Sequence, residues 1–373
     1  MLNSSAKVVV MLDKPSDRRS FDLFHWLKKE HPEWNFSLKA NRLSWIERIL
    51  YPSALRFNTD AFQDIKQTAE AHPNIQFVYL PFFEDKSIEI AAEKENWPAN
   101  LLGLLPDQQV LEVAADKEAF AQEFKGRELV VDLYTEAELE KDFPSSGIVL
   151  KPRKGRGAIG VKYITDAKAF MPEEGSTYQK RLNGKDNVIG AFYLFKEGKK
   201  IAHYQHQRVR SYPASGGVSV HAKLVHKDEI EKKGTEILSS MHWNGIAMLE
   251  FLPDFETGSY RAIECNPRVW GTVLLGEFAG ARIIENYILT SLGQPLVQSN
   301  WNENAAIIWL LPYQLLFMIF QPLRWWKSRS KNAQVCWLNA TRTGTLRALL
   351  FFMYALMNPE KWKILFQKIK TAK

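Results

Sequence analysis

Two acidic residues interrupt stretches that otherwise read as buried β-strands, and they constrain the chain more than any other feature. Ala247-Met248-Leu249-Glu250-Phe251 leads through a turn at Asp254 to Gly258 into Tyr260-Arg261-Ala262-Ile263-Glu264-Cys265-Asn266-Pro267-Arg268. Two strands joined by a turn put Glu250 and Glu264 on neighbouring strands. Asn266, two residues past Glu264, projects from the same face. A carboxylate among apolar side chains is costly without a metal or a cation beside it. Oxygen ligands of this kind suit Mg²⁺, which takes one or two carboxylates together with substrate phosphates. The alternative is a pair of acids balanced by Arg261 or Arg268.

A second constellation lies about one hundred residues upstream. Val149-Leu150-Lys151-Pro152-Arg153-Lys154-Gly155-Arg156-Gly157-Ala158-Ile159-Gly160-Val161 sets a loop with three glycines and four cations between two strand patterns. Glycines let backbone amides approach an anion closely, and amides with Lys and Arg make a polyphosphate cradle. It is not a Walker loop, because no Gly-Lys-Ser/Thr opens a helix. A solvated basic hairpin tip would look similar.

A third feature is Gln207-Arg208-Val209-Arg210, followed by Ser215-Gly216-Gly217. Strand alternation puts Arg208 and Arg210 on one face, where a guanidinium fork and turn amides suit a carboxylate or an acyl phosphate. A surface strand and loop is the other reading. His203, His206, His221, His226 and His242 show no metal-ligand spacing, so solvated or packed histidines are expected.

At 373 residues the chain has room for two or three domains. Its 46% hydrophobic and 24% charged residues exclude global disorder. Cys265 and Cys336 are too few for a disulfide framework or a cysteine zinc site. The apolar stretch at Val8-Val9-Val10 is too short for a signal sequence, so a cytoplasmic, reducing setting is expected. Residues 1–105 alternate strands (Lys7 to Leu12, Ile75 to Leu80) with helices. One helix runs through Phe21, Leu23, Phe24 and Leu27, and another follows a start signal at Asn58-Thr59-Asp60 with Gln63 as in a capping box. That alternation argues for a parallel sheet covered by helices. No glycine-rich fingerprint follows the first strand, which makes this a supporting domain. From 106 to 295 strands dominate, at Leu129 to Leu133, Ile148 to Leu150, Ile159 to Ile164, Thr177 to Leu182, Val188 to Phe195 and Val218 to Val225. Helices are expected around 116–124, 228–242 and 271–291, and 296–303 reads as a polar connector.

Taken together, the chain resembles the ATP-grasp superfamily of carboxylate–amine ligases, which includes carbamoyl phosphate synthetase, D-alanine–D-alanine ligase and biotin carboxylase. Glu250…Glu264-Cys265-Asn266-Pro267-Arg268 is similar to the metal-ligand pair and Asn-Pro-Arg of that family, and the Lys151 glycine loop precedes it in the right order. The resemblance implies an ATP-grasp fold over 106–295, mixed α/β and α+β, with an N-terminal α/β domain over 1–105 and a helical extension over 296–373. It implies ATP and Mg²⁺, with Mn²⁺ as a substitute, and Glu250, Glu264 and Asn266 as metal ligands. Asp116-Lys117 is similar to the early Asp-Lys of the family, whose lysine reaches ATP phosphates. Lys151 matches the second phosphate lysine, with Lys154, Gly155, Gly157 and Gly160 in the loop. Tyr178 to Asp186 resembles the adenine-lining segment. There Gln179 would meet the exocyclic amine, the backbone at Lys180 and Leu182 the ring, and Asp186 the ribose. The family more often has glutamate near Gln179. Arg268, with Arg208 or Arg210, would hold the substrate carboxylate. Cys265, where a small or apolar residue is usual, reads as packing.

The implied activity is activation of a carboxylate as an acyl phosphate for attack by an amine or similar nucleophile, on small-molecule or lipid-linked substrates. A phosphotransferase without an amine acceptor and a non-catalytic nucleotide-responsive adaptor are the competing classes. Residues 301–373 stand apart, with eleven Lys or Arg against two acids and thirteen aromatics. The preceding 300 residues hold 38 basic and 40 acidic residues. This tail suits an anionic partner. Ala305 to Leu323 carries no charge, and Trp362, Leu365, Phe366 and Ile369 form one helical stripe flanked by lysines. An anionic membrane surface at the inner face, packing against the body, and a membrane span are the three readings. Nucleic acid is not expected, since a large uncharged apolar surface gains nothing from a phosphate backbone.

Overall fold

The structure, a computed structural model, describes residues 7–40, 42–57, 62–155, 159–182, 188–212, 218–298, 300–309, 318, 322–327, 334–337 and 345–357. Its first layer is a five-stranded parallel sheet in the order β3-β2-β1-β4-β5, built from β1 (Val8–Met11), β2 (Asn35–Lys39), β3 (Leu55–Phe57), β4 (Gln76–Tyr79) and β5 (Leu101–Leu102). The helices α1 (Arg18–Glu30), α2 (Trp45–Leu50), α3 (Phe62–Ala71) and α4 (Glu84–Ala92) alternate with these strands. Because both faces are covered, β1 is apolar throughout. Val8 and Val10 feed one core, and Val9 and Met11 feed the other. The start signal expected at Asn58-Thr59-Asp60 lies outside the described residues.

After α5 (Gln108–Ala115) and α6 (Lys117–Glu123) comes a four-stranded antiparallel sheet. It has the order β6-β9-β7-β8, from β6 (Leu133–Tyr134), β7 (Ile148–Pro152), β8 (Lys162–Ile164) and β9 (Ser176–Lys180), with α7 (Glu136–Lys141) between its first two strands. Two expected strands are shorter than the apolar runs suggest. Leu129 to Leu133 is mostly not a strand, because Ala262 exchanges backbone bonds with Leu129 and Val131 and ties the segment to another sheet. Only the last three residues of Ile159 to Ile164 are strand, since Gly160 turns the chain at φ 76°.

The third layer is a seven-stranded sheet in the order β14-β13-β10-β11-β12-β15-β16. It comprises β10 (Ile189–Lys196), β11 (Lys199–Tyr212), β12 (Val218–Val225), β13 (Gly245–Asp254), β14 (Ser259–Asn266), β15 (Ala305–Ile308) and β16 (Gln334–Trp337). The helix expected over 228–242 is α8 (Asp228–Ser240). The one expected over 271–291 is two, α9 (Val273–Ala279) and α10 (Ile283–Ser291). Gly280 stops α9 in the left-handed region at φ 99°, with its own N–H and that of Ala281 closing the last turn, and Arg282 at φ 49° restarts the chain. Phe192 and Leu194 of β10 face a core shared with β1 and α1, while Ala191 and Tyr193 face the opposite core. Tyr287 of α10 fastens the layers by donating to Tyr79 O at 2.8 Å and accepting from Leu104 N.

Among its described residues the tail contributes strands as well as helices. β15 and β16 complete the seven-stranded sheet, drawing part of the uncharged Ala305 to Leu323 run into its core. Trp309 lies under the Arg18 guanidinium at 4.6 Å. Beyond α11 (Pro322–Lys327), α12 (Thr345–Leu356) packs on the first layer, where Phe351 stacks on Phe21 at 4.2 Å and Tyr354 donates to Glu47. The stripe from Trp362 to Ile369 lies outside the described residues. Among the described residues no helix is long and apolar enough to cross a membrane.

Candidate active site

Glu250 on β13 and Glu264 on β14 are direct cross-strand partners, and Met248 pairs with Asn266. The register slips by one residue immediately after Glu250, so Ile263 is an extra residue on β14. A bulge of this kind leaves a backbone group out of the ladder. The Ile263 carbonyl accepts from Lys151 Nζ and from Gln179 Nε2, both at 3.4 Å and both from the four-stranded sheet. The two sheets therefore meet at the paired glutamates.

Charge decides the state of each group there. Lys151 is 6% exposed. Burial pulls its ammonium down to about 8, with Lys117 adding and with Glu264 and Glu250 opposing. Burial also raises Glu250, helped by Glu264, although Arg208 Nη2 sits 2.5 Å from its Oε1. Glu264 goes the other way. Burial opposes its charge, but Lys151, Lys117, Asn266 and Arg268 together hold its carboxyl below the usual range. Asn266 donates to Glu264 at 3.0 Å and accepts from Arg268 Nη2 at 2.8 Å. Arg268 also grips Glu84, the first residue of α4, and so ties the site to the first layer.

The glycine loop is clamped at its base. Asp116 caps α6 by accepting from the Glu118 and Ala119 amides, and it also takes the Arg153 guanidinium at 2.8 Å. Lys117 N donates to Arg153 O, and Lys117 Nζ donates to Gly155 O at 3.0 Å. Arg153 is thus spent on holding the loop. Lys154 and Gly155 are exposed beyond it, and Gly155 has a φ of 122° that favours glycine. A Cβ at Gly160 would come within 2.9 Å of the Pro152 ring. Gly157 and Asp186 lie outside the described residues.

On the base-lining segment, Gln179 is 2% exposed and its amide is given to Ile263 O. Lys180 directs its side chain to Asp254 at 3.1 Å and Glu256 at 2.6 Å. Its N–H is spent on Asp132 O at 2.8 Å, so any contact to a base falls to its carbonyl. Leu182 is buried. Cys265 is buried too, and burial first, then Glu264, pushes its thiol far up, which keeps it unreactive.

One expected member is not here. Arg208 pairs with Ala222 but Arg210 pairs with His221, which makes Val209 a bulge and turns Arg210 to the opposite face. There Arg210 Nη2 lies 2.8 Å from His221 Nδ1. His206, read from the sequence only as a solvated or packed histidine, lies on the near face instead. His206 pairs with Gly190, Gly190 with Glu250, and Glu250 with Glu264, forming one row across four strands. His206 is buried and held neutral with a pKa of about 3, by burial first and then Arg208. Neither ring nitrogen has a partner among the described residues. A Cβ at Gly190 would fall 2.8 Å from the imidazole, so glycine makes room for it. The signal available in sequence was its position two residues before Arg208 on one strand. The structure thus brings Lys117, Lys151, Gln179, Arg208, Glu250, Glu264, Asn266 and Arg268 into one cluster of alternating charge.

No family model matches the sequence, and no curated protein matches it. Solved structures do match. The chain is similar to N5-carboxyaminoimidazole synthetase from Staphylococcus aureus at TM-score 0.60 and 14% identity, over 89% of this chain and 92% of that one. The biotin carboxylase domain of Hydrogenobacter thermophilus 2-oxoglutarate carboxylase matches at TM-score 0.60 and 14% identity, over 82% and 74%. Rhizobium etli pyruvate carboxylase matches at 0.60 and 12%, over 81% of this chain but only 30% of that much longer one. These are ATP-grasp enzymes, and the chain has the ATP-grasp fold. It shares that fold with both biotin carboxylase domains and N5-carboxyaminoimidazole synthetase.

Proposed function

We propose that the chain is an ATP-dependent ligase that activates a carboxylate as an acyl phosphate and passes the acyl group to an amine or similar nucleophile. The observation that carries this reading is the cross-strand pair of buried Glu250 and half-buried Glu264, with Lys151 of the facing sheet against them. Two carboxylates and the Asn266 amide are hard oxygen donors, a set that fits Mg²⁺, with Mn²⁺ as a substitute. Such an ion would supply neutralisation of phosphate charge. The 2-oxoglutarate carboxylase neighbour was solved with MgADP and bicarbonate, which supports a nucleotide between the sheets and a carboxylate beside it.

A carboxylate resists amines because oxide is a poor leaving group. Its oxygen attacks the γ-phosphorus, ADP departs, and the resulting acyl phosphate carries a good leaving group. The amine then bonds to the carbonyl carbon and inorganic phosphate leaves. Phosphoryl transfer needs in-line placement and charge neutralisation more than covalent help. Lys117, Lys151, Lys154 and the loop through Gly155, Gly157 and Gly160 would hold the polyphosphate. Gln179, the Lys180 carbonyl, Leu182 and Asp186 would hold the nucleoside. Arg268 and Arg208 would take the substrate carboxylate and steady the oxyanion during amine attack. Both are now held by carboxylates, Glu84 and Glu250, which a substrate carboxylate would replace or share. The loop closing over the site would keep water from the acyl phosphate. The testing experiment is ADP release across libraries of carboxylates and amines. Release that needs both supports the ligase. Release with a stable phosphorylated product and no acceptor would make it a phosphotransferase, and no release under any pair would leave a nucleotide-responsive adaptor.

The location we propose is peripheral, on an anionic membrane surface. The supporting observation is a second apolar face on α12. Ala348 and Phe351 are buried against the first layer, while Leu346, Leu349, Met353 and Met357 line the opposite side and are exposed. Trp45, at 73% exposure, and Ile49 are exposed on α2, which packs on α12. Exposed apolar side chains on α12, in a segment with eleven Lys or Arg against two acids, fit lipid headgroups over acyl chains.

A further inference from the structure

We propose that His203, His226 and Glu231 form a site for a transition-metal ion such as Zn²⁺, separate from the paired glutamates. The residues come from three places: His203 from β11, His226 from the connection after β12, and Glu231 from the first turn of α8. Spacing along the sequence gives no hint of the set, because sheet and helix bring it together. One ligand atom from each lies within 4.8 Å of the others. His203 Nε2 is 3.0 Å from Glu231 Oε2, and the two imidazole centroids are 6.3 Å apart. Small rotations of exposed His226 would close these distances to a common centre.

The site is on the other side of the sheet from the candidate active site. His203 is the cross-strand partner of Tyr193, which faces the core opposite to that of Phe192, whereas Glu250 is the partner of Gly190. The two ligand sets also differ in kind. Paired carboxylates and an amide suit Mg²⁺, while two imidazoles and one carboxylate suit Zn²⁺, Co²⁺ or Ni²⁺. Three protein ligands leave a coordination position open. Glu231 also lines a cleft of about 520 Å³ with Lys200, Asp228 and Thr235.

Neighbouring groups define how the metal would be received. Asp228 Oδ1 is 2.7 Å from His226 Nε2 and can orient that ring, as carboxylates do behind metal-bound imidazoles. Burial, before any other influence, lowers the His203 pKa and favours the neutral imidazole that a metal needs. Lys200 competes, since its ammonium bonds Glu231 Oε1. That leaves Oε2, the oxygen already beside His203, as the one for the metal. An ordinary His–Glu–Lys surface network is the rival explanation.

The test uses the full chain, free of any affinity tag, stripped with a chelator and titrated with Zn²⁺ alone by calorimetry. Co²⁺ in place of Zn²⁺ adds a visible absorption that reports nitrogen and oxygen ligation. The expected result is one Zn²⁺ per chain with that Co²⁺ signature. His226→Ala and His203→Ala should abolish both, and Asp228→Asn should weaken binding by roughly tenfold. Glu264→Gln should leave the site unchanged. His226 is exposed, so its removal spares the fold, and circular dichroism on each variant verifies this. Equal Zn²⁺ uptake by the parent and a folded His203→Ala/His226→Ala double variant would overturn the proposal. So would the absence of Zn²⁺ binding to the parent.

Discussion

Glu264 and Glu250 face each other across the β13–β14 ladder, yet their carboxyls are driven in opposite directions. Burial acts on both. Glu264 is rescued by Lys151 of the other sheet and Lys117 of α6, with Asn266 and Arg268 adding, while Glu250 has Glu264 beside it and Arg208, Lys151 and Arg268 do not offset its burial. Glu264 is therefore the carboxylate that carries a settled negative charge.

Glu264→Gln keeps size and removes that charge. Mg²⁺-dependent turnover should fall by at least about two orders of magnitude, or ~2.7 kcal/mol of transition-state stabilisation. Thermal unfolding should stay close to that of the parent, because the change is nearly isosteric. Unaltered kcat with the usual Mg²⁺ dependence would remove Glu264 from the proposed metal set.

Lys151 should leave its mark on a pH profile. Its ammonium is held down at about 8, so in the free protein it is charged below that pH and neutral above it. The KM for ATP should rise as pH passes upward through this value, with kcat less affected, because kcat/KM reports the free enzyme. Lys151→Arg stays protonated and should flatten the rise. Lys232, exposed on α8, is the control, and Lys232→Ala should change neither parameter. Equal losses at both lysines would mean that bulk charge, not a site, was being measured.

A second ionisable group bears on stability alone. Glu277 is 2% exposed and accepts from the Ile284 amide at 2.7 Å. Burial chiefly, with Glu285 adding and Arg282 opposing, raises its carboxyl from 4.5 to about 8. The native state holds a proton there that the unfolded chain gives up near 4.5. Its contribution is therefore fully present below that pH and is lost as pH rises to about 8. The Tm of Glu277→Gln, measured against the parent, should climb between about pH 5 and pH 9. A difference that does not vary with pH would show that the carboxyl is ionised throughout.

Membrane binding is checked by co-sedimentation with anionic and neutral vesicles at low and high salt. Each engaged cation contributes about 1 kcal/mol near an anionic surface, so the full chain should pellet with anionic vesicles and be released by salt. Leu346→Ser combined with Met353→Ser, on the exposed side of α12, should weaken binding without unfolding. A folded full-length chain that ignores anionic vesicles would disprove the surface reading.

Much of the site was legible because its chemistry is local. A glutamate inside an apolar strand is unusual enough to flag itself, and Asn266 and Arg268 follow Glu264 at spacings that strand geometry converts directly into direction. Arg210 was misplaced because counting by twos assumes an unbroken ladder, and the bulge at Val209 breaks it. His206 was read only as a solvated or packed histidine because one histidine in a strand carries no pattern. The uncharged run from Ala305 looked like a helix or a membrane segment, since residues inside a covered sheet are as apolar as either.

What the sequence determined alone was therefore the kinds of group and their order along the chain: the glycine loop with Lys151, then Glu250, then Glu264-Cys265-Asn266-Pro267-Arg268. Backbone periodicity acts over a few residues, so it was enough to place each group on a strand or a loop. Tertiary structure decided which groups share a charge environment. Lys151 meets Glu264 only because two separate sheets converge on the Ile263 bulge. His203 meets Glu231 only because α8 packs back on β11. Coulomb interaction and desolvation depend on distance and burial, not on separation along the chain, and those are properties of the packed fold.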